Sequence, residues 1–144
     1  MGASATGTAP SGDRRVITIP VENGLLCLRG LSPRRLRFEI EYGLERGTSA
    51  NSFLFTGSDS THGGDAETLI GAPAALLVHP LGASFAEPYL AALAALVPGD
   101  QELQVVVGHV NPNRVALLQE LARRWPKLRL IASNPGAQLL QSLW

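Results

Sequence analysis

Apolar residues fall on every second position early in this chain and on every third or fourth position late in it, and the two spacings predict different architecture. Val16 to Pro20 and Leu25 to Arg29 are short β-prone runs separated by Glu22-Asn23-Gly24, a hairpin signal. Leu36, Phe38, Ile40 and Tyr42 alternate with Arg37, Glu39 and Glu41, which predicts one half-buried strand with a wet face. That alternation makes Glu39 and Glu41 solvated surface rather than a carboxylate pair for acid–base work. Glu45 to Ser49 turn the chain, and Ser52 to Thr56, carrying Phe53 and Phe55, form another strand. The expected arrangement is an antiparallel meander.

From Ala74 the pattern becomes βαβαβα. Ala75 to Val78 is a buried strand ending at His79-Pro80. Ser84 and Glu87 have capping-box spacing, and Leu90, Leu93, Leu96 and Val97 supply the buried stripe of the helix that follows. Pro98-Gly99-Asp100 ends that helix, and Leu103 to Val107 is the next strand. Asn111 is an N-cap and Pro112 a first helical residue. Val115, Leu118, Leu121, Ala122 and Trp125 form the core face of this second helix, with Glu120 placed to pair with Arg124 outside it. After Pro126, Leu128 to Ala132 is a third buried strand, and Asn134-Pro135 repeats the Asn111-Pro112 device. The fold class is α/β of the mixed kind: a meander, then a parallel section with helices on at least one face.

Composition narrows the functional classes. Twelve Lys and Arg balance twelve Asp and Glu, so no net field draws nucleic acid or an anionic membrane. Cys27 is the single cysteine and lies in an apolar run, which predicts a buried thiol and excludes an internal disulfide or Cys-x-x-Cys chemistry. Residues 1–14, rich in Ala, Gly, Ser, Thr and Pro, are expected to be disordered and do not read as a secretory signal. Residues 57–72 read as a flexible polar loop, and 15–144 as one domain. No apolar run approaches the roughly 20 residues that span a bilayer, so the expected location is the cytoplasm.

Candidate chemistry gathers at the strand ends. Val105 to Arg114 reads as buried strand, polar turn with His109, and helix start, the place where α/β folds present reactive groups. His79 ends the preceding strand at the same sheet edge. His62, with Asp59 and Asp65 in the polar loop, lacks a strand or helix to fix it as a metal ligand. No Ser–His–Asp or Cys–His spacing suggests nucleophilic catalysis, and no catalytic residue is assigned.

Arg37 to Phe53, with its Gly47-Thr48-x-x-Asn51-Ser52-Phe53 stretch, followed by Val105 to Arg114, resembles the start of flavodiiron proteins, of the diflavin type found in oxygenic phototrophs. The resemblance covers roughly residues 15–144. It implies the first half of a metallo-β-lactamase-like αββα sandwich. In full-length relatives it further implies a non-haem diiron site, an FMN module and electron transfer from NAD(P)H to oxygen, making water. The family's His-x-Glu-x-Asp-His signature falls on His109 to Arg114. His109 matches the first histidine, while Asn111, Asn113 and Arg114 stand for the glutamate, the aspartate and the second histidine. Amides are poor substitutes for carboxylates, and a guanidinium is a permanent cation in a cation's place.

The expectation is therefore a fragment or truncated flavodiiron relative that lacks a diiron site, binds no cofactor itself and acts as a non-catalytic partner or structural subunit. Two alternatives stay open: a metal-dependent enzyme with a site rebuilt from His79 and His109, and an oligomeric interaction module using apolar surface around Trp125 and Trp144. The expected partners are other copies or other chains, a metal-competent flavodiiron paralogue among them, with no nucleic acid and no membrane span.

Overall fold

The computed structural model describes residues 13–34, 37–38, 42–43, 47–56 and 75–144. In chain order these form β1 (Arg15–Glu22), β2 (Leu25–Ser32), β3 (Arg37–Phe38), β4 (Tyr42–Gly43), β5 (Thr48–Phe55) and β6 (Ala75–Val78). A 3-10 turn (Ala83–Phe85) leads into α1 (Ala86–Leu96), and β7 (Leu103–Val106), α2 (Pro112–Arg124), β8 (Leu128–Ile131) and α3 (Asn134–Leu143) follow. Six strands make one sheet in the order β1-β2-β5-β6-β7-β8. The pairs β1–β2, β2–β5 and β5–β6 are antiparallel, and β6–β7 and β7–β8 are parallel. The mixed sheet and its division into meander and parallel section are those the hydrophobic spacing predicts.

The first hairpin closes as expected. Glu22 faces Leu25 across Asn23-Gly24, and Gly24 carries the positive φ of 75° that the tight reversal requires. The alternating run from Leu36 to Tyr42 behaves differently. Arg37 pairs with Gly43 and Phe38 with Tyr42, so the run doubles back as a separate two-stranded piece instead of continuing as one strand. Alternation reports which face a residue takes but not where the chain reverses, which is why the reversal was not foreseen. The expected charged face at Glu39 and Glu41, the polar loop at 57–72 with Asp59, His62 and Asp65, and residues 1–12 lie outside the described residues.

One alternation of every long strand meets the helices. Leu28, Leu54, Ala75, Leu77, Leu103 and Val105 pack with Phe85, Tyr89, Leu93 and Val97 from the first helical segment, Val115, Leu117, Leu118 and Leu121 from α2, Trp125 just beyond it, and Leu140 from α3. Each fully buried leucine contributes about 1.5–3 kcal/mol by leaving water. Trp125 is the largest buried side chain, and its indole N–H points at the carbonyls of Val97 (3.3 Å) and Pro98 (3.2 Å). This ties the end of α2 to the end of α1 and withdraws Trp125 from the association surface proposed for it; Trp144 remains exposed.

Three local readings change in the structure. Ser84 lies inside the 3-10 turn and α1 has no side-chain cap, so the expected capping box does not form. The Phe85 N–H is already bonded to the Gly82 carbonyl, at 3.0 Å, and the chain enters the helix from that turn. The cap of α3 is Ser133, which accepts from the Gly136 N–H, and Asn134 is the first helical residue. Glu120 pairs with Arg123 rather than Arg124, an exposed contact of little energetic weight. In addition, β8 is an edge strand, half open to solvent, rather than a buried one.

Candidate functional site

The parallel register fixes the site. Val78 of β6 lies beside Val106 of β7, so both strands end at one edge and deliver His79 and His109 to it. The His79 N–H bonds the Val106 carbonyl at 3.2 Å, and Val107 bonds Ile131 at 2.9 Å, extending the ladder to the lip of the sheet. His79 has φ 59°, the left-handed region that a non-glycine residue rarely occupies, and it immediately precedes a proline.

A buried polar relay holds that strained turn. Tyr89 of α1 is fully buried and its hydroxyl lies 2.6 Å from Ser52 Oγ of β5. Ser52 Oγ also donates to the Val78 carbonyl at 3.3 Å, and the Leu81 backbone bonds the phenol oxygen. The relay grips the residues on both sides of His79-Pro80, and over-determination of this kind sustains a costly backbone conformation. Burial pushes the Tyr89 phenol far above its ordinary pKa, with the bonds from Ser52 and Leu81 and the charge of Arg114 offsetting only part, so Tyr89 stays neutral. Sequence reasoning missed both Ser52 and Tyr89. The available signal was Tyr89 standing one helical turn before Leu93 and two before Val97, since a buried tyrosine requires a hydroxyl partner.

At the start of α2, Asn111 is the cap, as predicted. Its Oδ1 accepts from the Arg114 N–H at 2.8 Å, and Pro112 opens the helix. The Asn111 side chain is thereby engaged in holding the helix start. Asn113 leans over Gly82: a Cβ at that glycine would come within 2.5 Å of Asn113 Nδ2, so the two residues are in close approach. The Arg114 side chain turns inward. It is partly buried, its pKa is lowered by burial and raised again by Tyr89, and its Nη1 is enclosed without a hydrogen-bond partner among the described residues. His79 is held below its ordinary pKa, first by burial, then by the charge of Arg114, then by His109. His109 is exposed at the rim.

The structure thus brings together His79, His109 and Arg114, with Asn113 beside them and Asn111 committed to the cap. His62, the third histidine, is outside the described residues. Among the described residues no group of three or more His, Cys, Asp or Glu side chains is placed to hold a metal. Cys27 is buried, as expected.

No family model matches the chain. The diflavin flavoprotein A 6 of Nostoc is 37% identical over 124 residues, which are 86% of this chain and 19% of that protein. A metal-soaked Flv1 flavodiiron core from Synechocystis superposes with a TM-score of 0.72 at 34% identity, covering 90% of this chain and 28% of that one. A fragment, residues 1–254, of diflavin flavoprotein A 5 from Nostoc gives 0.73 at 33% identity, covering 90% and 46%. The chain spans about a fifth of the length of the curated relatives it matches.

Proposed function

This chain belongs to the flavodiiron family, as a counterpart of the opening part of its diflavin members, and we propose that within that family it is a metal-free, non-catalytic partner or structural subunit. The observation that carries this reading is Arg114. In the family signature its position belongs to a histidine that holds iron; here a guanidinium occupies it, turned inward and partly buried beside His79. A permanent positive charge repels a divalent ion, and more strongly where protein excludes water.

The other positions point the same way. Asn111, where the signature has a glutamate, accepts a hydrogen bond from the helix backbone. Asn113, where it has an aspartate, contributes a neutral amide beside Gly82. The residues present therefore do not fit iron, and no step through it is derived. A site rebuilt from His79 and His109 is not favoured. The lowered pKa of His79 keeps its imidazole in the neutral, metal-binding form, but the guanidinium that helps to lower it also opposes the metal.

The partner role draws on the sheet. The face away from the helices presents Ile17, Phe53, Phe55 and Ile131, each more than a third exposed, an apolar surface of the kind that association covers. A second copy or a metal-competent flavodiiron paralogue is the proposed cover, within a system that moves electrons from NAD(P)H to oxygen, and the proposed location is the cytoplasm. No helix of the described residues is long and apolar enough to cross a membrane.

Anaerobic titration with ferrous iron, read by metal analysis after desalting, tests the reading. The native chain is expected to retain substoichiometric iron, and the triple change Asn111→Glu, Asn113→Asp and Arg114→His to retain more. Stoichiometric iron on the native chain would sink the metal-free reading.

A further inference from the structure

Residues paired across neighbouring strands share a face, so the register draws rows across the open side of the sheet. One row reads Ile19, Cys27, Phe53, Val78, Val106 and Ile131, apolar in all six strands. The next reads Glu22, Leu25, Phe55, Leu76, Gln104 and Arg129, apolar towards its centre, with an acid at the β1 end and a base at the β8 end. A bulge after Pro20 brings Glu22 opposite Leu25. We propose that this face docks a second copy of the chain, sheet on sheet, about a two-fold axis that runs along the strands between β5 and β6. As a cover for the open face this copy rests on the partner role proposed above, and it selects one of the two covers named there.

The rows favour both this occupant and this axis. A two-fold axis along the strands sets β1 over β8, β2 over β7 and β5 over β6 of the other copy. Glu22 of each copy then lies over Arg129 of the other, and Phe55 over Leu76. The apolar row meets itself in reverse, with Phe53 on Val78 and Ile19 on Ile131. Unlike charges face each other at both ends, and hydrocarbon faces hydrocarbon between them. An axis across the strands, through the apolar row, would instead bring Glu22 to Ile17 and Phe55 to Asn51, setting charge and amide against hydrocarbon. Arg129 can reach a new partner, since its side chain is 71% exposed and its contact with Glu102 is a long 3.6 Å. Zero net charge leaves no general repulsion between copies. Six strands at about 4.8 Å spacing make a face about 24 Å wide, at the small end of specific interfaces, so the dimer is a reversible one.

Sedimentation velocity of the full chain across micromolar concentrations is the test, with circular dichroism confirming that each variant is folded. A reversible monomer–dimer equilibrium is expected. Glu22→Arg and Arg129→Glu should each weaken dimerisation by about threefold to tenfold, because each sets like charges together at both ends of the interface. Glu22→Arg combined with Arg129→Glu should restore it, and the two single variants mixed should dimerise with each other better than either does alone. Ile131→Lys, at the exposed end of the apolar row, should weaken it as well. A monomer at every concentration overturns the second copy as occupant. So does a dimer indifferent to Ile131→Lys and to both charge reversals, or a loss that the double reversal does not restore. The two readings fail separately: a monomer that retains no iron loses the second copy and keeps the metal-free reading, and a dimer that retains stoichiometric iron loses the metal-free reading alone.

Discussion

The two faces of the six-stranded sheet are built from the same strands and nearly the same residue types, yet they meet different surroundings. On the helix side, Leu28, Leu54, Leu77, Leu103 and Val105 are completely buried. On the other side, Phe53, Phe55, Ile17 and Ile131 retain 36–44% of their surface in contact with solvent. In a sheet with one wet face, polar residues would fill the second alternation. Here the second alternation is apolar in several strands, so these strands have the composition of a sheet covered twice while the described elements cover it once. The excess apolar surface is what the proposed partner would cover.

Substitutions on the two faces should separate sharply. Leu77→Ala removes a fully buried side chain from the centre of the helix-covered face and is expected to lower unfolding free energy by about 2–5 kcal/mol, measured by urea denaturation. A loss below about 1 kcal/mol would mean that this face is not the principal core. Asn111→Ala, at the start of α2, deletes the acceptor for the Arg114 N–H and should lower stability by about 1 kcal/mol. An unchanged urea midpoint would show that the helix start is held by other groups. Phe53→Ser, on the open face, removes a side chain that is only partly buried and should lower monomer stability by less than Leu77→Ala does, about 1–2 kcal/mol. It also acts on association, with weaker self-association or partner binding expected in sedimentation velocity. Destabilisation comparable to Leu77→Ala would show that the open face is packed within the single chain and would erase the contrast.

How much of this was readable in the sequence follows the range of the interactions involved. The hairpin at Asn23-Gly24, the parallel strand ends at His79 and His109 and the Asn111-Pro112 helix start each depend on a few consecutive residues, and each appears where its local pattern puts it. The left-handed His79 does not follow from its neighbours, since a residue before proline favours extended backbone. It sits between Val78 and Leu81, which the Tyr89–Ser52 relay holds, and the two residues of that relay lie 37 positions apart. The shift of the α3 cap from Asn134 to Ser133 is a choice between adjacent residues with almost equal capping propensity, decided by which oxygen reaches the Gly136 N–H. Strand order is also invisible to local spacing, which is why β8 reads as buried in the sequence and lies at the edge in the fold. The inward turn of Arg114 belongs to the same class: the sequence shows a guanidinium at a helix start, and only the fold leaves it partly buried near Tyr89 and His79.

The order of strands in the sheet, β1-β2-β5-β6-β7-β8, repeats their order in the chain apart from the β3–β4 excursion. Each new strand pairs with a long strand already made, so no segment must wait for a distant one or be threaded between two others. Loop-closure entropy is then met in small successive increments. The sheet can be laid down in the direction in which a ribosome delivers it, meander first and helix-bearing section afterwards. The His79 edge needs β7 beside β6, so it draws on residues from the later half of the chain alone.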